Sequence, residues 1–122
     1  MKIAKPKKID NSQKVTKLYG CDAILGEVKK YKDWNSAIML AIARAESGCR
    51  HDATGDNHLT FMHNGRKYGY SVSAFQVRIL PGREPCASYD IVVNTRCANN
   101  IFKSQGYKAW TVYNTGKYKK YM

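Results

Sequence analysis

Apolar positions recur with helical spacing between residues 33 and 47. Met39 and Ile42 fall on one face, and Glu46 continues that stripe at i, i+3, i+7 from Met39. Asp33 is placed to cap this helix and Gly48 to stop it. Upstream, Cys21 to Lys32 reads as a shorter helix with Ile24, Leu25 and Val28 on its apolar side. Residues 49–58 break the periodicity with a polar loop. Two strand-like runs then flank Asn64-Gly65, the strongest local signal for a two-residue hairpin turn. Ser73 to Ile79 is a short apolar element ended by Pro81-Gly82, and residues 81–88 read as loop. Asp90 caps a helix running to about Ser104, with Ile91, Val92, Ile101 and Phe102 toward the core and Gly106 as its stop. Tyr107 to Asn114 gives a last short helix. The sum is an α+β fold, predominantly helical, with one small β-hairpin.

Composition adds a boundary and a charge. The chain has 122 residues, which fits one compact domain. Residues 1–17 read as a flexible basic arm and 18–122 as a single domain. Net charge is +12, from 21 Lys+Arg against 9 Asp+Glu. That surplus attracts polyanions without choosing among nucleic acid, anionic membranes and anionic cell wall. Lysines gather at both ends, at Lys2 to Lys17 and again at Lys117, Lys119 and Lys120, as solubilising tails do. No nucleic-acid recognition motif accompanies the charge.

Cys21, Cys49, Cys86 and Cys97 form no CxxC pair, so a structural zinc site is not expected. An even count in a small basic chain suggests two disulfides and an oxidising compartment. Two consecutive antiparallel helices would bring Cys21 near Cys49, leaving Cys86 to pair locally with Cys97. Free buried cysteines are the alternative. Met1 to Gln13 is polar and carries no apolar signal-peptide core. A secreted, periplasmic or wall-associated location therefore implies a leader already removed or another export route. No apolar run reaches the length of a membrane span.

Glu46 is the candidate for chemistry. A carboxyl group held among apolar neighbours has its charged form disfavoured, so it holds a proton near neutral pH and can act as a general acid. The alternative is a surface glutamate in the last turn of an amphipathic helix. Three segments bear on the choice: Ala45-Glu46-Ser47-Gly48, then Ser71-Val72-Ser73-Ala74-Phe75-Gln76-Val77, then Val112-Tyr113-Asn114-Thr115-Gly116. In this order they resemble the lytic transglycosylase and goose-type lysozyme superfamily. That family has a catalytic Glu-Ser at a helix end, a Gly-Leu-Met-Gln-Ile/Val-like segment and a late Tyr-Asn-x-Gly. The Tyr-Asn-Thr-Gly version is similar to transglycosylases associated with type IV secretion. The resemblance covers roughly residues 33–118. Ser71 and Ser73 replace family glycines, and Ala74-Phe75 replaces the Leu-Met pair.

The resemblance implies a lysozyme-like fold, with the hairpin near the cleft. The implied activity is cleavage of the β-1,4 bond between N-acetylmuramic acid and N-acetylglucosamine in peptidoglycan. It makes Glu46 the acid/base. It has Gln76 line the cleft and bond an N-acetyl or backbone group, and puts Tyr113 near Glu46. Asn114 would hold the loop or contact substrate, and Ser47 would bond near the scissile sugar or cap the helix end. Gly55-Asp56 resembles the Gly-Asp of goose-type lysozymes, so Asp56 is either a second carboxylate or a turn residue. The other Asp of that group is replaced by Arg78. Asp52 is a weaker base candidate. Tyr68 and Tyr70, two apart on the hairpin's second strand, share a face that could stack on sugar rings, or are ordinary surface tyrosines. His51, His58 and His63 match no metal-site spacing, and no cofactor is expected. Expected partners are glycan strands and, by charge, anionic wall polymers, with the chain a monomer. The competing reading is a non-catalytic cationic wall-binding or antimicrobial module on the same fold.

Overall fold

The computed structural model describes residues 20–122; the expected basic arm lies outside them. Helices dominate, joined by two small antiparallel sheets. Helix α1 spans Cys21–Val28 and α2 spans Ser36–Ser47. Strand β1 (Thr54–Gly55) leads through a 3-10 turn at Asn57–Leu59 into the hairpin β2 (Phe61–His63) and β3 (Arg66–Tyr68). Strands β4 (Ser71–Val72) and β5 (Val77–Arg78) follow. After a 3-10 turn at Glu84–Cys86 comes the longest helix, α3, Ile91–Gln105. The chain closes with a 3-10 turn at Gly106–Ala109, the short helix α4 (Thr111–Asn114) and a 3-10 segment at Lys117–Tyr121.

Local signals place most of these boundaries. Gly48 ends α2 in the left-handed conformation, at φ 65°. Asp90 Oδ1 accepts from the N–H groups of Val92 and Val93 and starts α3, which Gly106 ends. Asn64 and Gly65 both have positive φ, 51° and 75°, as the tight hairpin turn requires. The register pairs Phe61 with Tyr68 and His63 with Arg66. Both expected disulfides are formed, Cys21–Cys49 and Cys86–Cys97.

Four expectations are corrected. Asn35, not Asp33, caps α2, accepting from Ile38 N–H at 3.0 Å. Asp33 instead accepts from Asn99 Nδ2 at 2.8 Å, and Trp34, which separates it from Asn35 in the chain, is buried and donates its indole N–H to Val28 O. Val92 is 47% exposed. The inward face of α3 is Ile91, Asn94, Thr95, Ala98 and Asn99, so Val92 sits one residue, about 100°, out of phase. Residues 107–114 are not one helix: Trp110 is extended (φ −105°, ψ 121°) and buried, donating its indole N–H to Phe75 O. Finally, Tyr68 and Tyr70 do not continue one strand. Strand β3 ends at Tyr68, and Gly69 follows at φ 97° with Leu59 O so close that a Cβ would collide with it.

A three-stranded sheet that the periodicity did not predict joins β1, β4 and β5. Thr54 pairs with Val72, and Val72 with Val77. Between β4 and β5 the apolar run folds into a turn with Ser73 and Gln76 both left-handed. This turn drives Phe75 fully into the core, where it meets Trp34. Buried Asn94 on α3 holds it there, accepting from Phe75 N–H at 2.8 Å and donating to Val72 O at 3.1 Å. One contiguous core runs from Ile24 and Val28 through Met39 and Ile42 to Phe75, Ile79 and Trp110. The C-terminal lysines are not a loose tail. They lie on the 3-10 segment that packs on α2, with Tyr118 stacked on Tyr113. No described helix is long and apolar enough to cross a membrane.

Candidate active site

Helix α2 delivers Glu46 to the floor of a cleft of about 470 Å³. Met39 and Ile42, on the same stripe, are fully buried, so the helix cannot rotate Glu46 outward without exposing them. Ser47 secures the helix end. Its Oγ lies 2.8 Å from Ala74 O and 3.1 Å from Ala43 O, and it accepts from Arg50 N–H. The cleft's far wall comes from the end of α3 and the stretch after it: Ile101, Gln105, Ala109, Trp110, Thr111 and Val112.

Burial, and secondarily the negative charge of Asp56, pushes the Glu46 carboxyl up from 4.5 to about 7. The group is thus largely protonated below neutrality while Asp56 lines the same cleft. Asp56 is at once a turn residue and a cleft residue. It is left-handed at φ 57°, and its carbonyl accepts from Leu59 N–H to close the 3-10 turn. Its Oδ2 accepts a short hydrogen bond from Ser71 Oγ. Ser71 therefore orients the Asp56 carboxylate.

Gln76 lines the cleft, but both N–H groups of its amide are taken by Ala53 O (3.1 Å) and Ser73 O (2.9 Å). Its Oε1 packs so tightly on Gly55 that any Cβ there would collide with it. Gln76 is a clamp between β1 and the core turn, with little left to donate. The other expected site residues fall outside the cleft lining. Tyr113 lies between Tyr107 and Tyr118, with ring centroids 5.0 Å and 4.8 Å away, and its neighbours Thr111 and Val112 face the cleft instead. Asn114 donates to Lys108 O at 2.8 Å and ties its loop. Ser47 fastens α2 to the core turn. Tyr70 is half-buried beneath Lys67 Nζ. Tyr68 is buried and donates its hydroxyl to Glu84 Oε2 at 2.7 Å. That bond, with a second from Gly82 N–H, pulls the Glu84 carboxyl down to about 2 and raises the Tyr68 phenol. The pair locks the hairpin to the 84–86 turn.

Sequence reasoning missed the far wall and Arg83. Trp110, three residues before Tyr113, was the available signal for the wall, since a large aromatic beside the third motif must be buried somewhere. Arg83 sits in a loop with no periodicity to mark it. His58, one of the three histidines, is exposed, and among the described residues no three His, Cys, Asp or Glu side chains converge as a metal site would need. No protein-family model matches the chain, and no curated protein is similar enough to count as a relative.

Proposed function

We propose that this chain is a peptidoglycan-cleaving glycosidase that uses Glu46 as general acid. The observation that carries the reading is the pair of carboxyl groups in one cleft, with Glu46 held to about 7 beside Asp56. Breaking a glycosidic bond requires a proton on the leaving oxygen as oxocarbenium character develops at C1. Protonated Glu46 donates that proton to the leaving sugar's O4 and becomes a carboxylate. The same carboxylate, or Asp56, then accepts the proton of the attacking hydroxyl. If water attacks, the products are a reducing-end muramic acid and a new non-reducing end. If the C6 hydroxyl of the same muramic acid attacks, a 1,6-anhydro ring closes and no water is consumed. The Ser71 bond to Asp56 favours the hydrolytic route, because it orients a second carboxylate that the anhydro route does not need. The Tyr113-Asn114-Thr115-Gly116 resemblance favours the anhydro route. Two disulfides fit a chain working in the oxidising space where cell wall lies.

Mass spectrometry of soluble products from purified peptidoglycan, with wild type and Glu46→Gln side by side, tests both levels. Products ending in 1,6-anhydro-muramic acid identify a lytic transglycosylase, and products one water heavier identify a lysozyme. Either series must vanish in the variant. No products from wild type would overturn the enzyme reading. The net charge of +12 would then favour the non-catalytic wall-binding module, whose effect would survive Glu46→Gln.

A further inference from the structure

The cleft holds charges of both signs. Glu46 and Asp56 line it together with Arg78 and Arg83. With Glu46 protonated, two cations face one anion. Among the described residues neither guanidinium has a carboxylate partner, and the ion pair found there is Lys30–Glu27, elsewhere on the surface. The acids near the arginines are engaged otherwise. Glu84, next in sequence to Arg83, accepts from Tyr68 and Gly82. Asp56 accepts from Ser71.

Both guanidiniums are nonetheless fixed. Arg78 donates Nε to Gly69 O at 2.8 Å and Nη2 to Leu59 O at 3.3 Å. Arg83 donates Nη1 to Arg78's own carbonyl at 3.1 Å. Its backbone is set by the 84–86 turn, which Cys86 N–H closes onto Arg83 O and the Cys86–Cys97 disulfide pins to α3. Each guanidinium carries five N–H donors, so most of the two sets stay unused among the described residues. Half-buried cations without counter-charge, already ordered by backbone carbonyls, are suited to a planar anion. They donate to it bidentately and lose little rotamer freedom on doing so.

We propose that Arg78 and Arg83 form an anion subsite that receives a carboxylate of the substrate; the inference rests on the glycosidase reading. On a muramic-acid glycan that carboxylate has two sources. One is the lactyl group of the sugar, free where the peptide is absent. The other is the attached peptide, whose formation consumes the lactyl carboxylate. Neutral N-acetylglucosamine oligomers, which share the β-1,4 linkage, offer neither. The subsite thus selects acidic glycans over chitin-like ones and stands where the resembled family has an Asp, at position 78.

Binding to Glu46→Gln protein isolates the subsite from turnover. The probes are a peptide-free tetrasaccharide of alternating N-acetylglucosamine and N-acetylmuramic acid, its lactyl methyl ester, the same oligomer bearing peptide, and a neutral N-acetylglucosamine tetramer. Calorimetry should show about tenfold tighter binding of one acidic oligomer than of the neutral tetramer, the size of one well-placed charge-assisted pair. Preference for the free acid over its ester identifies the lactyl source, and preference for the peptide-bearing oligomer identifies the peptide. Arg83→Gln, added to Glu46→Gln, should abolish the preference, and Arg83→Lys should retain part of it. Arg78→Lys is the second variant, since Arg78 also braces two backbone carbonyls. Equal binding of acidic and neutral oligomers, no binding of either, or a preference that survives at both arginines overturns the subsite. A preference for acid in a protein whose wild type releases no products overturns the glycosidase instead and leaves the subsite standing.

Discussion

The helices and the strand region between residues 54 and 78 solve different problems. In the helical part, apolar stripes meet each other, and the caps at Asn35, Gly48 and Asp90 are local. In the strand region the strands are two or three residues long, and four of the five non-glycine residues with positive φ among the described residues lie there: Asp56, Asn64, Ser73 and Gln76. Backbone in that conformation costs energy and persists only where the surroundings over-determine it. Here side chains do so. Ser71 grips Asp56, Gln76 clamps two carbonyls, and Asn94 reaches from α3 to hold the core turn. The helices supply stability and carry the acid to the cleft. The strained region supplies the second carboxylate and Arg78.

The sharpest way to break this division is at Glu46. Glu46→Gln should lower glycan cleavage about 1000-fold, within the range for loss of a general acid. Wild-type activity should fall as pH rises through about 7, where Glu46 loses its proton. A smaller loss, or a profile flat across neutrality, would remove the acid from the helix's share.

The disulfides come next. Replacing Cys21 and Cys49 by serine should cost about 4 kcal/mol of stability, and replacing Cys86 and Cys97 about 3 kcal/mol, from loops that span separations of 28 and 11 residues. Urea titration checks both. If the division is right, the first loss is global and the second also weakens cleavage, because that bridge pins the turn carrying Arg83.

Glu46→Gln should at the same time stabilise the fold in a pH-dependent way. The folded group has its proton affinity raised from 4.5 to about 7, so the folded state holds a proton that the unfolded chain releases between those values. Wild-type stability from this group therefore falls as pH rises from about 4.5 to 7. The variant escapes that fall, gaining about 3 kcal/mol at pH 8 and almost nothing at pH 4. Thermal melts at the two pH values read the difference directly, and equal shifts would refute the buried-acid assignment.

Two smaller changes weigh the regions against each other. Gly69→Ala should cost about 2 kcal/mol, because the added Cβ meets Leu59 O and the backbone stays left-handed. Asp90→Ala removes an ordinary helix cap and should cost about 1 kcal/mol. Chemical denaturation ranks them, and the reverse order would say that the strand region relaxes more easily than its contacts suggest.

What the sequence disclosed follows the same line. Gly48, Asn64-Gly65, Asp90 and Gly106 act through their own backbone or the nearest turn, so their effect could be read from neighbours in the chain. The disulfide pairs followed from the antiparallel helices. Glu46 was legible because its stripe was. Asp33 was misplaced as a cap because Trp34 has a distant partner surface in Phe75 and Phe102. Trp110 broke the last helix for the same reason. The three-stranded sheet was invisible because strands of two residues carry no alternation. Gln76 was placed at the cleft, yet its commitment to Ala53 and Ser73 depends on a left-handed turn that no local residue announces.

Asn94 has one more consequence, in the exchange of amide hydrogens. The Phe75 N–H is bonded to a fully buried side chain on another element and not to a strand partner. Opening it requires α3 to part from the core, so its hydrogen should exchange with solvent only through global unfolding. The amides of Met62 and Lys67, on the exposed hairpin, can exchange through local fraying many times over before that happens. A single slow amide in the middle of an irregular turn would thus mark where this small protein keeps its last closed door.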